Sequence, residues 1–449
     1  MILAAGKGTR MRSNLPKVLQ PLASKPLLQH VIDTADQLVN EQIITVIGHK
    51  AELVKERVRG GSLDFVLQAE QLGTGHAVQQ AVDYINNDDT VLILYGDVPL
   101  TSSHTLEDLL SQVSDVTPLS LLTIQLDNPQ GYGRIIRDNH EKVESIVEQK
   151  DATPEQLNVQ EVNTGIMAVQ GQHLKFWLSK LSSNNVQQEY YLTDIIAMCV
   201  QDGFTVATSH PQTALEVLGV NDKLQLHNLE RQFQHHLAEG LMTQGVTLVD
   251  AHRLDIRGTV NIKEDTLIDA NVVLEGEVIL GSNVKIGANC FLKNVTIADG
   301  TVIHSFSHIE DCVIGSNAVI GPYARLRPGT ELGDDVKIGN FVETKKAKIG
   351  EGSKINHLSY VGDTQMGEDC NIGAGTITCN YDGVNKHQTI IGNGVFVGSD
   401  TQLVAPVTLG DNATIGAGST ITKDTPANEL TLSRSKQLTL KGWQKPTKK

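Results

Sequence analysis

Residues 256–292 read IRGTVN IKEDTL IDANVV LEGEVI LGSNVK IGANCF L, with an aliphatic residue opening every group of six. A period of six matches neither the 3.6-residue repeat of a helix nor the simple alternation of a hairpin strand. It is typical of hexapeptide parallel β-helices, in which three hexads complete one coil and stacked aliphatic side chains fill a prism-shaped core. We therefore predict a solenoid of about ten coils for the second half of the chain.

The aliphatic series continues to residue 421 with occasional shortened steps. Its members are Ile256, Ile262, Ile268, Leu274, Leu280, Ile286, Leu292, Ile297, Ile303, Ile309, Ile314, Ile320, Leu326, Leu332, Ile338, Ile349, Ile355, Val361, Met366, Ile372, Ile391, Val397, Leu403, Leu409, Ile415 and Ile421. One long interruption lies between Thr378 and Ile391. A loop that breaks a strict repeat is more often functional than neutral, so we expect it to carry site residues.

The composition agrees with this division of the chain. Of the 40 glycines, 26 lie in residues 230–449, and aromatic residues make up only 4% of the 449 positions. A narrow prism accepts Ile, Val and Leu but few rings, and its corners favour Gly and Asn. The glycine-rich, ring-poor composition is therefore what a β-helix requires.

The first half follows a different pattern, in which short β-prone runs alternate with helical runs. The runs predicted as strands are Ile43–Ile47, Leu63–Leu67, Val91–Leu94 and Leu119–Ile124, and those predicted as helices are Leu27–Leu38, Ala77–Tyr84 and Leu106–Val113. This alternation predicts an α/β domain, Rossmann-like, with a mainly parallel sheet covered on both faces. The loops after such strands are the expected ligand site.

An amphipathic helix over Leu224–Thr243, with Asp222 as its N-cap and Gly245 after its end, is predicted to connect the two halves. The expected domains are thus residues 1–223, a helical linker over 224–244, and residues 245–449. The net charge of −15 and the absence of a Lys/Arg-rich run argue against nucleic acid and anionic membranes as partners. No apolar run is long enough for a membrane span or a signal peptide, and the five cysteines form no C-x-x-C pair, so we expect a cytoplasmic protein.

Two motifs in the first half indicate a phosphate site. Residues 3–11 read LAAGKGTRM, where Gly6 and Gly8 allow close backbone approach and Arg10, with Lys17 further on, supplies positive charge. Asp97 follows the buried run VLILYG and could hold Mg²⁺ against phosphates. Taken singly, a plain glycine-rich turn and an ordinary turn aspartate stay open.

The second half also carries a candidate site. Arg327 and Lys345 are eighteen residues apart, one full coil of three hexads, so they could stack on one face and share a phosphate. His357 lies twelve positions beyond Lys345 and is a candidate general base. Solubilising charge and a structural histidine are the alternatives that these residues leave open.

Together the glycine loop, the VLILYGDVPL motif and Gln68 with Gly73-Thr74-Gly75 resemble the sugar-1-phosphate nucleotidyltransferases. With the hexad repeat, the resemblance narrows to the bifunctional N-acetylglucosamine-1-phosphate uridyltransferase/glucosamine-1-phosphate acetyltransferase family and covers essentially the whole chain. It implies a left-handed parallel β-helix behind the nucleotidyltransferase domain. Only Met1–Ala4 precede the glycine loop, fewer residues than relatives usually carry, so a truncated start and a start chosen late both stay open.

For the first half, the resemblance implies that UMP passes from UTP to N-acetylglucosamine-1-phosphate with release of pyrophosphate. Arg10 and Lys17 would neutralise phosphates during catalysis, and Asp97 and Asn221 would hold one Mg²⁺. The residues implied to bind UTP or UDP-N-acetylglucosamine are Leu3, Ala4, Ala5, Gly6, Lys17, Gln68, Gly73, Thr74, Tyr95, Gly96, Asp97, Gly133, Glu148, Asn163 and Asn221.

For the second half, it implies that His357 deprotonates glucosamine-1-phosphate as the amine attacks acetyl-CoA. The implied sugar-phosphate residues are Arg327, Lys345, Tyr360, Asn371, Asn380 and Tyr381, and the implied acetyl-CoA residues are Ala374, Asn380, Tyr381, Ser399, Ala417 and Arg434. The product would feed peptidoglycan and lipid A synthesis. The resemblance also implies a homotrimer with acetyltransferase sites between subunits.

Two alternatives stay open. The β-helix could be regulatory, as in glucose-1-phosphate adenylyltransferase relatives, although His357, the spacing of Arg327 and Lys345 and the loop at Asn380-Tyr381 favour a second active site. A repeat protein that only binds partners would leave the glycine loop and Asp97 unexplained.

Overall fold

The computed structural model describes residues 1–38 and 42–448. The chain divides into two compact units, Met1–Phe233 and Gln234–Lys449, and the division lies inside a long helix. Among the described residues, no helix has both the length and the apolar character that crossing a membrane requires. The three-part boundaries at residues 223 and 244 stay a prediction.

The first unit contains eleven strands and six helices within its described residues. The strands are β1 Ile2–Ala4, β2 Pro21–Leu22, β3 Lys25–Pro26, β4 Ile43–Ile47, β5 Leu63–Leu67, β6 Thr90–Tyr95, β7 Leu119–Gln125, β8 Arg134–Arg137, β9 Val143–Val147, β10 Glu161–Gln170 and β11 Val206–Ser209. The helices are α1 Leu27–Leu38, α2 Ala51–Arg57, α3 Thr74–Gln79, α4 Ser103–Ser111, α5 Gly171–Leu178 and α6 Asp194–Gln201.

The main sheet has the strand order β11-β7-β10-β6-β1-β4-β5. Strand β1 pairs in parallel with β4 on one side and β6 on the other, and only β10 runs against its neighbours β6 and β7 along this path. All five residues of β4 are buried, as expected for a strand covered on both faces. The prediction of a mainly parallel α/β sheet is confirmed.

The predicted helix over Ala77–Tyr84 is wrong in its extent. Helix α3 begins three residues earlier and ends at Gln79, and a separate 3₁₀ turn covers Val82–Tyr84. Ala81 leaves the α-helical region with φ −106° and ψ 9°, and its N–H donates to the Val78 carbonyl three residues back. This break turns Ile85 into the core, where it is 4% exposed, so tertiary burial overrides the local helical pattern.

Helix α7, Lys223–Thr243, spans the division between the units. The Asp222 carboxylate accepts a hydrogen bond from the Gln225 N–H at 2.8 Å, which is the predicted N-cap. Gly245 has φ +92°, a left-handed conformation that glycine adopts without strain and that ends the helix as predicted.

The second unit is built of short strands joined by tight corners. They are β12 Thr247–Leu248, β13 Leu254–Ile262, β14 Leu267–Ile268, β15 Val272–Leu280, β16 Lys285–Ile286, β17 Phe291–Ile297, β18 Val302–Ile303, β19 His308–Ile314, β20 Val319–Ile320, β21 Arg325–Leu326, β22 Thr330–Leu332, β23 Lys337–Asn340, β24 Glu343–Ile349, β25 Lys354–His357, β26 Tyr360–Met366, β27 Asn371–Ile372, β28 Ile377–Cys379, β29 Thr389–Ile391, β30 Phe396–Val397, β31 Gln402–Val404, β32 Val407–Leu409, β33 Thr414–Ile415, β34 Thr420–Ile421 and β35 Leu430–Thr431.

These strands form two sheets, of eleven and thirteen strands, in which every named strand pair is parallel. The register places each aliphatic hexad residue on its counterpart in the next coil, for example Ile286 beside Ile303 and Leu274 beside Leu292. The aliphatic residues of the series are buried in one continuous core. The hexapeptide β-helix predicted from the period of six is thereby confirmed.

The shortened steps in the series occur at one corner of the coil. Asn294, Asp311, Lys346 and Asp363 occupy this corner in four coils, and each has a φ of +46° to +49°. The pairing register shifts by one position across this corner, and the next aliphatic residues are again paired, for example Leu280 with Ile297. Asn and Asp tolerate this conformation better than most other side chains, which explains the presence of Asn294, Asp311 and Asp363.

Two threonines fill positions that the aliphatic series leaves blank. Thr344 and Thr378 are 0% and 1% exposed and pair with the aliphatic residues Leu326 and Leu403 in the neighbouring coils. The Thr344 hydroxyl lies 3.0 Å from that of Thr330, and the Thr378 hydroxyl accepts from the Gly362 N–H at 2.8 Å. Because their hydroxyls are satisfied internally, polar residues can occupy this core.

Candidate functional sites

The first site lies at one edge of the α/β sheet. Strands β1, β5 and β6 are parallel members of that sheet, so the segments that follow them meet at its carboxyl edge. These segments are the glycine loop Ala5–Gly8, Gln68 and the pair Gly96-Asp97. The structure therefore gathers the sequence motifs where a ligand site was expected.

Four polar side chains converge at this edge. The Lys17 ammonium forms an ion pair with the Asp97 carboxylate and also lies 3.3 Å from Oδ1 of Asn221. Arg10 donates from Nη2 to the same Asn221 oxygen at 2.9 Å. Two positively charged side chains and two side chains with metal-binding oxygens, from three distant parts of the chain, thus form one cluster. A site for phosphate and metal would need such a cluster.

This cluster fits a hard divalent cation. The Asp97 and Asn221 oxygens both contact a single positive group, the Lys17 ammonium, so they lie close enough to share one cation. Carboxylate and amide oxygens are the ligands that Mg²⁺ accepts, and it commonly takes only one or two carboxylates together with substrate phosphates. Within residues 1–38 and 42–448 no group of three or more His, Cys, Asp or Glu side chains could hold a metal.

The backbone of β1 forms the floor of this edge. Leu3, Ala4 and Ala5 are buried, and the Leu3 carbonyl accepts from the Gly96 N–H at 3.0 Å, which joins the glycine loop to the Asp97 turn. A Cβ added at Gly6 would meet no atom within 4 Å, so the loop faces open space at this residue.

Gln68 and the start of α3 form a second wall. Gln68 is 3% exposed, and its side-chain amide donates to the Gly73 carbonyl at 3.1 Å. Gly73 has φ +113°, and a Cβ there would lie 2.5 Å from the Tyr190 carbonyl oxygen, so only glycine fits. Thr74 accepts from the Leu192 N–H at 3.1 Å. Binding of UTP by Gln68, which the family resemblance implies, stays a prediction.

Three further residues implied to bind UDP-N-acetylglucosamine, Gly133, Glu148 and Asn163, form a group near Tyr95. Glu148 faces Gly133, where a Cβ would approach the carboxylate to 3.5 Å, and it accepts from the Thr193 hydroxyl at 3.2 Å. Burial raises the pKa of Glu148, because a carboxylate loses its hydration there. Burial, with the nearby charges of Glu148 and Asp97, also raises the pKa of Tyr95.

Asn163 joins this group through an irregularity in β10. The register of β10 against β7 shifts between Asn163 and Met167, and Gly165 within the shift has φ +88°. The Asn163 N–H donates to the Gly133 carbonyl at 2.9 Å. A Cβ at Gly165 would lie 2.7 Å from the Tyr95 ring, so this bulge makes room for the ring.

In the second unit, one corner of the β-helix carries a column of predicted site residues. Asn340 pairs with His357, and the same corner position of the following coils holds Ala374, Ser399 and Ala417. Backbone bonds tie the column together: the Asp400 N–H donates to the Ala374 carbonyl at 2.7 Å and the Gly418 N–H to Ser399 at 2.8 Å. Arg434 reaches back to the Ala417 carbonyl at 2.8 Å.

The candidate base His357 is exposed and is the last residue of β25. Its ring nitrogen Nδ1 lies 2.9 Å from the side-chain oxygen of Asn340 in the preceding coil. His357 thus stands beside the predicted acetyl-CoA residues of the same column.

A group of cations lies on the neighbouring face. Arg327 and Lys345 occupy the same position in consecutive coils, since Leu326 pairs with Thr344 and the Arg327 N–H donates to the Thr344 carbonyl at 2.9 Å. Arg327 also forms an ion pair with Glu343 at 2.7 Å. The nearby Lys386 ammonium, and then Arg327, lower the pKa of Lys345 because each repels a second positive charge.

The interrupting loop lies beside this cation group. The loop runs between β28 and β29, and its residue Asn380 donates to the Asp363 carboxylate at 2.5 Å and contacts the Tyr360 hydroxyl at 3.3 Å. Tyr381 is 59% exposed. A cavity of about 270 Å³ opens among Lys346, Asp363, Lys386, His387 and Gln388.

The structure does not bring all the second-site residues into one contact group. His357 comes three residues before Tyr360, whereas Lys345 pairs with Gly362, so the strand segment 360–362 separates the column from the cation group. Asn371 lies in the other sheet, between Lys354 and Phe396, and no described contact joins it to Arg327 or Lys345.

Four residues near these sites were missed by sequence reasoning. Asn340 and Glu343 lie about one coil before His357 and after Arg327, so the repeat itself could have found them. Lys386 lies in the interrupting loop, which was already singled out. Thr193 carries no sequence signal, because only the fold brings it to Glu148.

Comparisons with known proteins agree with this architecture. Family models match residues 1–125 as a MobA-like NTP transferase domain, 256–349 as a GMPPB C-terminal domain and 388–423 as a bacterial transferase hexapeptide repeat. Bifunctional protein GlmU of Hydrogenovibrio crunogenus is 67% identical over 448 residues, with 100% of this chain and 99% of the relative covered.

The same agreement extends to further relatives over the full chain. Bifunctional protein GlmU of Marinobacter nauticus is 59% identical, with 100% of this chain and 98% of the relative covered. That of Cellvibrio japonicus is 56% identical, with 100% and 99% covered. On this identity, the chain belongs to the bifunctional GlmU family, in which a uridyltransferase and an acetyltransferase make UDP-N-acetylglucosamine.

Proposed function

We propose that the residue clusters of the two units divide the two reactions between them. The β-helix acetylates glucosamine-1-phosphate with acetyl-CoA, and the α/β unit then transfers UMP from UTP to the N-acetylglucosamine-1-phosphate formed. The observation that carries this proposal is the presence of a separate group of predicted site residues in each unit, the Arg10/Lys17/Asp97/Asn221 cluster in one and the His357 column in the other, in a chain of a bifunctional family.

In the α/β unit, catalysis rests on positioning and charge neutralisation. A phosphate oxygen of the sugar phosphate attacks the α-phosphorus of UTP in line, and the bond to the β-phosphate breaks to release pyrophosphate. Arg10 and Lys17 lie where they can neutralise the phosphates. No protein nucleophile takes part in this step.

Asp97 and Asn221 would hold Mg²⁺, which would neutralise phosphate charge when bound. The residues proposed to bind the uridine nucleotide are Leu3, Ala4, Ala5, Gly6, Gln68, Gly73, Thr74, Tyr95 and Gly96. Gly133, Glu148 and Asn163 would hold the sugar, supported by their grouping around Tyr95.

In the β-helix, His357 acts as the general base. Its free ring nitrogen takes a proton from the amine as the amine nitrogen attacks the thioester carbon, and collapse of the tetrahedral intermediate expels the CoA thiolate. The Ser399 N–H is proposed to stabilise the oxyanion, and Ala374, Ala417 and Arg434 to hold acetyl-CoA, because they share the His357 column.

Arg327 and Lys345 would bind the sugar phosphate, supported by their stacking in consecutive coils. Tyr360, Asn380 and Tyr381 would contact the sugar from the neighbouring strand and loop. Asn371 is kept in the proposal on the family resemblance alone.

One reaction series tests the proposal. The purified chain is incubated with glucosamine-1-phosphate, acetyl-CoA, UTP and Mg²⁺, and UDP-N-acetylglucosamine is measured by chromatography. Without acetyl-CoA, glucosamine-1-phosphate should remain unchanged. Without UTP, N-acetylglucosamine-1-phosphate should accumulate. Product from N-acetylglucosamine-1-phosphate but not from glucosamine-1-phosphate would favour a regulatory β-helix instead.

We also propose a homotrimer in the cytoplasm, with no nucleic-acid or membrane partner. The flat sides of the prism suit side-by-side packing. All five cysteines are free and four are buried, which fits a reducing compartment. Light scattering of the purified chain should give three times 48.7 kDa, and the monomer mass would contradict the trimer.

A further inference from the structure

The His357 ring contacts a polar side chain of the preceding coil, that of Asn340. We propose that Asn340 is a positioning residue for acetyl transfer: its amide oxygen accepts the proton of His357 Nδ1 and leaves the Nε2 lone pair free for the substrate amine. The inference rests on the proposed function of His357 as general base. It assigns a role to a residue that the sequence motifs did not single out.

The register of the β-helix places the two residues together. Strands β23 and β25 are parallel, Asn340 pairs with His357, and Nδ1 lies 2.9 Å from the Asn340 side-chain oxygen. The Asn340 main-chain carbonyl also accepts from the Leu358 N–H at 3.2 Å. Asn340 therefore holds both the ring and the backbone beside it.

The separation between the two coils is fixed at this corner. A Cβ at Gly339 would lie 1.9 Å from the carbonyl oxygen of Asn356, so the coils approach more closely here than any other residue type allows. The His357 carbonyl accepts from the Ser359 hydroxyl at 2.8 Å and from the Gly375 N–H at 3.3 Å. The backbone of His357 is thus held from both sides, and the ring by Asn340.

The identity of the partner atom determines which nitrogen can act as a base. A neutral imidazole carries one N–H, and an acceptor at Nδ1 places that proton there and the lone pair on Nε2. An amide oxygen does so without a charge, whereas a carboxylate would also stabilise the protonated ring. On the other side, the same position of the next coil holds the methyl group of Ala374, which cannot titrate.

Two substitutions test the inference in the full-length protein. Asn340→Ala removes the acceptor, and we expect kcat for acetyl transfer to fall about 10- to 100-fold with little change in KM for either substrate. Asn340→Asp keeps an acceptor and adds a negative charge. We expect it to retain acetyl transfer at high pH and to move the acidic limb of the pH–rate profile to higher pH.

Asn271→Ala is the matched control, because the Asn271 amide also bridges neighbouring coils, accepting from Arg253 and donating to Asn289, far from His357 in sequence. It should leave the acetyl-transfer pH profile unchanged. Thermal unfolding and uridyl transfer, measured on all three variants, report folding of the chain.

Three outcomes would overturn the inference. The first is an unchanged kcat in Asn340→Ala, and the second is an unmoved acidic limb in Asn340→Asp. The third is loss of activity at every pH in Asn340→Asp, which would show that the amide donates to the ring. His357→Ala separates this failure from failure of the proposed function: if it retains acetyl transfer, His357 is not the base.

Discussion

The two sites of this chain are assembled in opposite ways. In the α/β unit, the contacts of the cation cluster join residues that are 80, 204 and 211 positions apart, in three separate parts of the chain. In the β-helix, the His357 column takes one residue from each successive coil, and Asn340 and His357 are 17 positions apart. A site on an open sheet depends on the whole topology, whereas a site on a solenoid depends on the local repeat.

This difference predicts separable failures of the two reactions. Asp97→Ala should reduce uridyl transfer by at least about 10³-fold, since removing several kcal/mol of charge stabilisation from the transition state has that effect. Acetyl transfer should be unchanged. Pyrophosphate release and acetyl transfer are measured on the same preparation, with the exposed Asp108→Ala as control. Normal pyrophosphate release would remove Asp97 from the reaction.

His357→Ala is the reciprocal experiment. Losing a general base costs about 10²- to 10⁴-fold, so acetyl transfer should fall by that amount while uridyl transfer is retained. Free CoA thiol reports the rate, and His304→Ala, which removes another exposed histidine of the β-helix, is the control. If acetyl transfer and uridyl transfer both fall in His357→Ala, the two sites are not independent.

Truncation of a core side chain should show whether destabilisation of one coil of the β-helix affects the α/β unit. Ile355 is fully buried one coil beyond Ile338, and Ile355→Ala should lower the free energy of unfolding by about 2 to 5 kcal/mol. Because each coil contacts only its neighbours, acetyl transfer should suffer before uridyl transfer on heating. Thermal scans with both assays test this, and Val313→Ala, at a 54% exposed residue, should change stability little.

The smallest expected effect concerns the charge of Lys345. The pKa of Lys345 is lowered mainly by Lys386, so Lys386→Met should raise it. Protonated Lys345 is the proposed phosphate ligand, so the rise in KM for glucosamine-1-phosphate at alkaline pH should move to higher pH. Lys348→Met, which removes an exposed lysine paired with Glu331, should leave that limb in place. If the alkaline rise in KM stays at the same pH in Lys386→Met, Lys386 does not lower the pKa of Lys345.

Much of the fold followed from local pattern. The aliphatic series predicted the β-helix because a repeat of six is visible without knowing any long-range contact, and β4, β5 and α1 have the predicted bounds. The prediction failed where tertiary burial overrode the pattern. The helix predicted over Ala77–Tyr84 breaks to bury Ile85, and the core positions of Thr344 and Thr378, with their internally bonded hydroxyls, were not predicted at all.

The sequence predicted the main candidate residues of both sites better than it predicted the residues that contact them. Gly6 and Asp97 lie in recognisable motifs and His357 follows the Arg327/Lys345 pair, so the sequence named all three as candidates. The hydrogen-bond partners of the candidate residues come from distant parts of the chain. Arg10 donates to Asn221, for example, and Thr193 donates to Glu148. Neither of these pairs has a signature in the sequence: Asn221 was implied by the family resemblance alone, and Thr193 was not found.

The amino-acid sequence alone predicts the two architectures and names candidate site residues, because hydrophobic period, glycine placement and motif chemistry are properties of neighbouring residues. The tertiary structure decides which of those residues meet. Sheet order brings Lys17 to Asp97, and coil register brings Asn340 to His357. The reason is physical: a period specifies which side chains are buried, whereas hydrogen bonds and ion pairs act only over a few ångströms that long-range folding must supply.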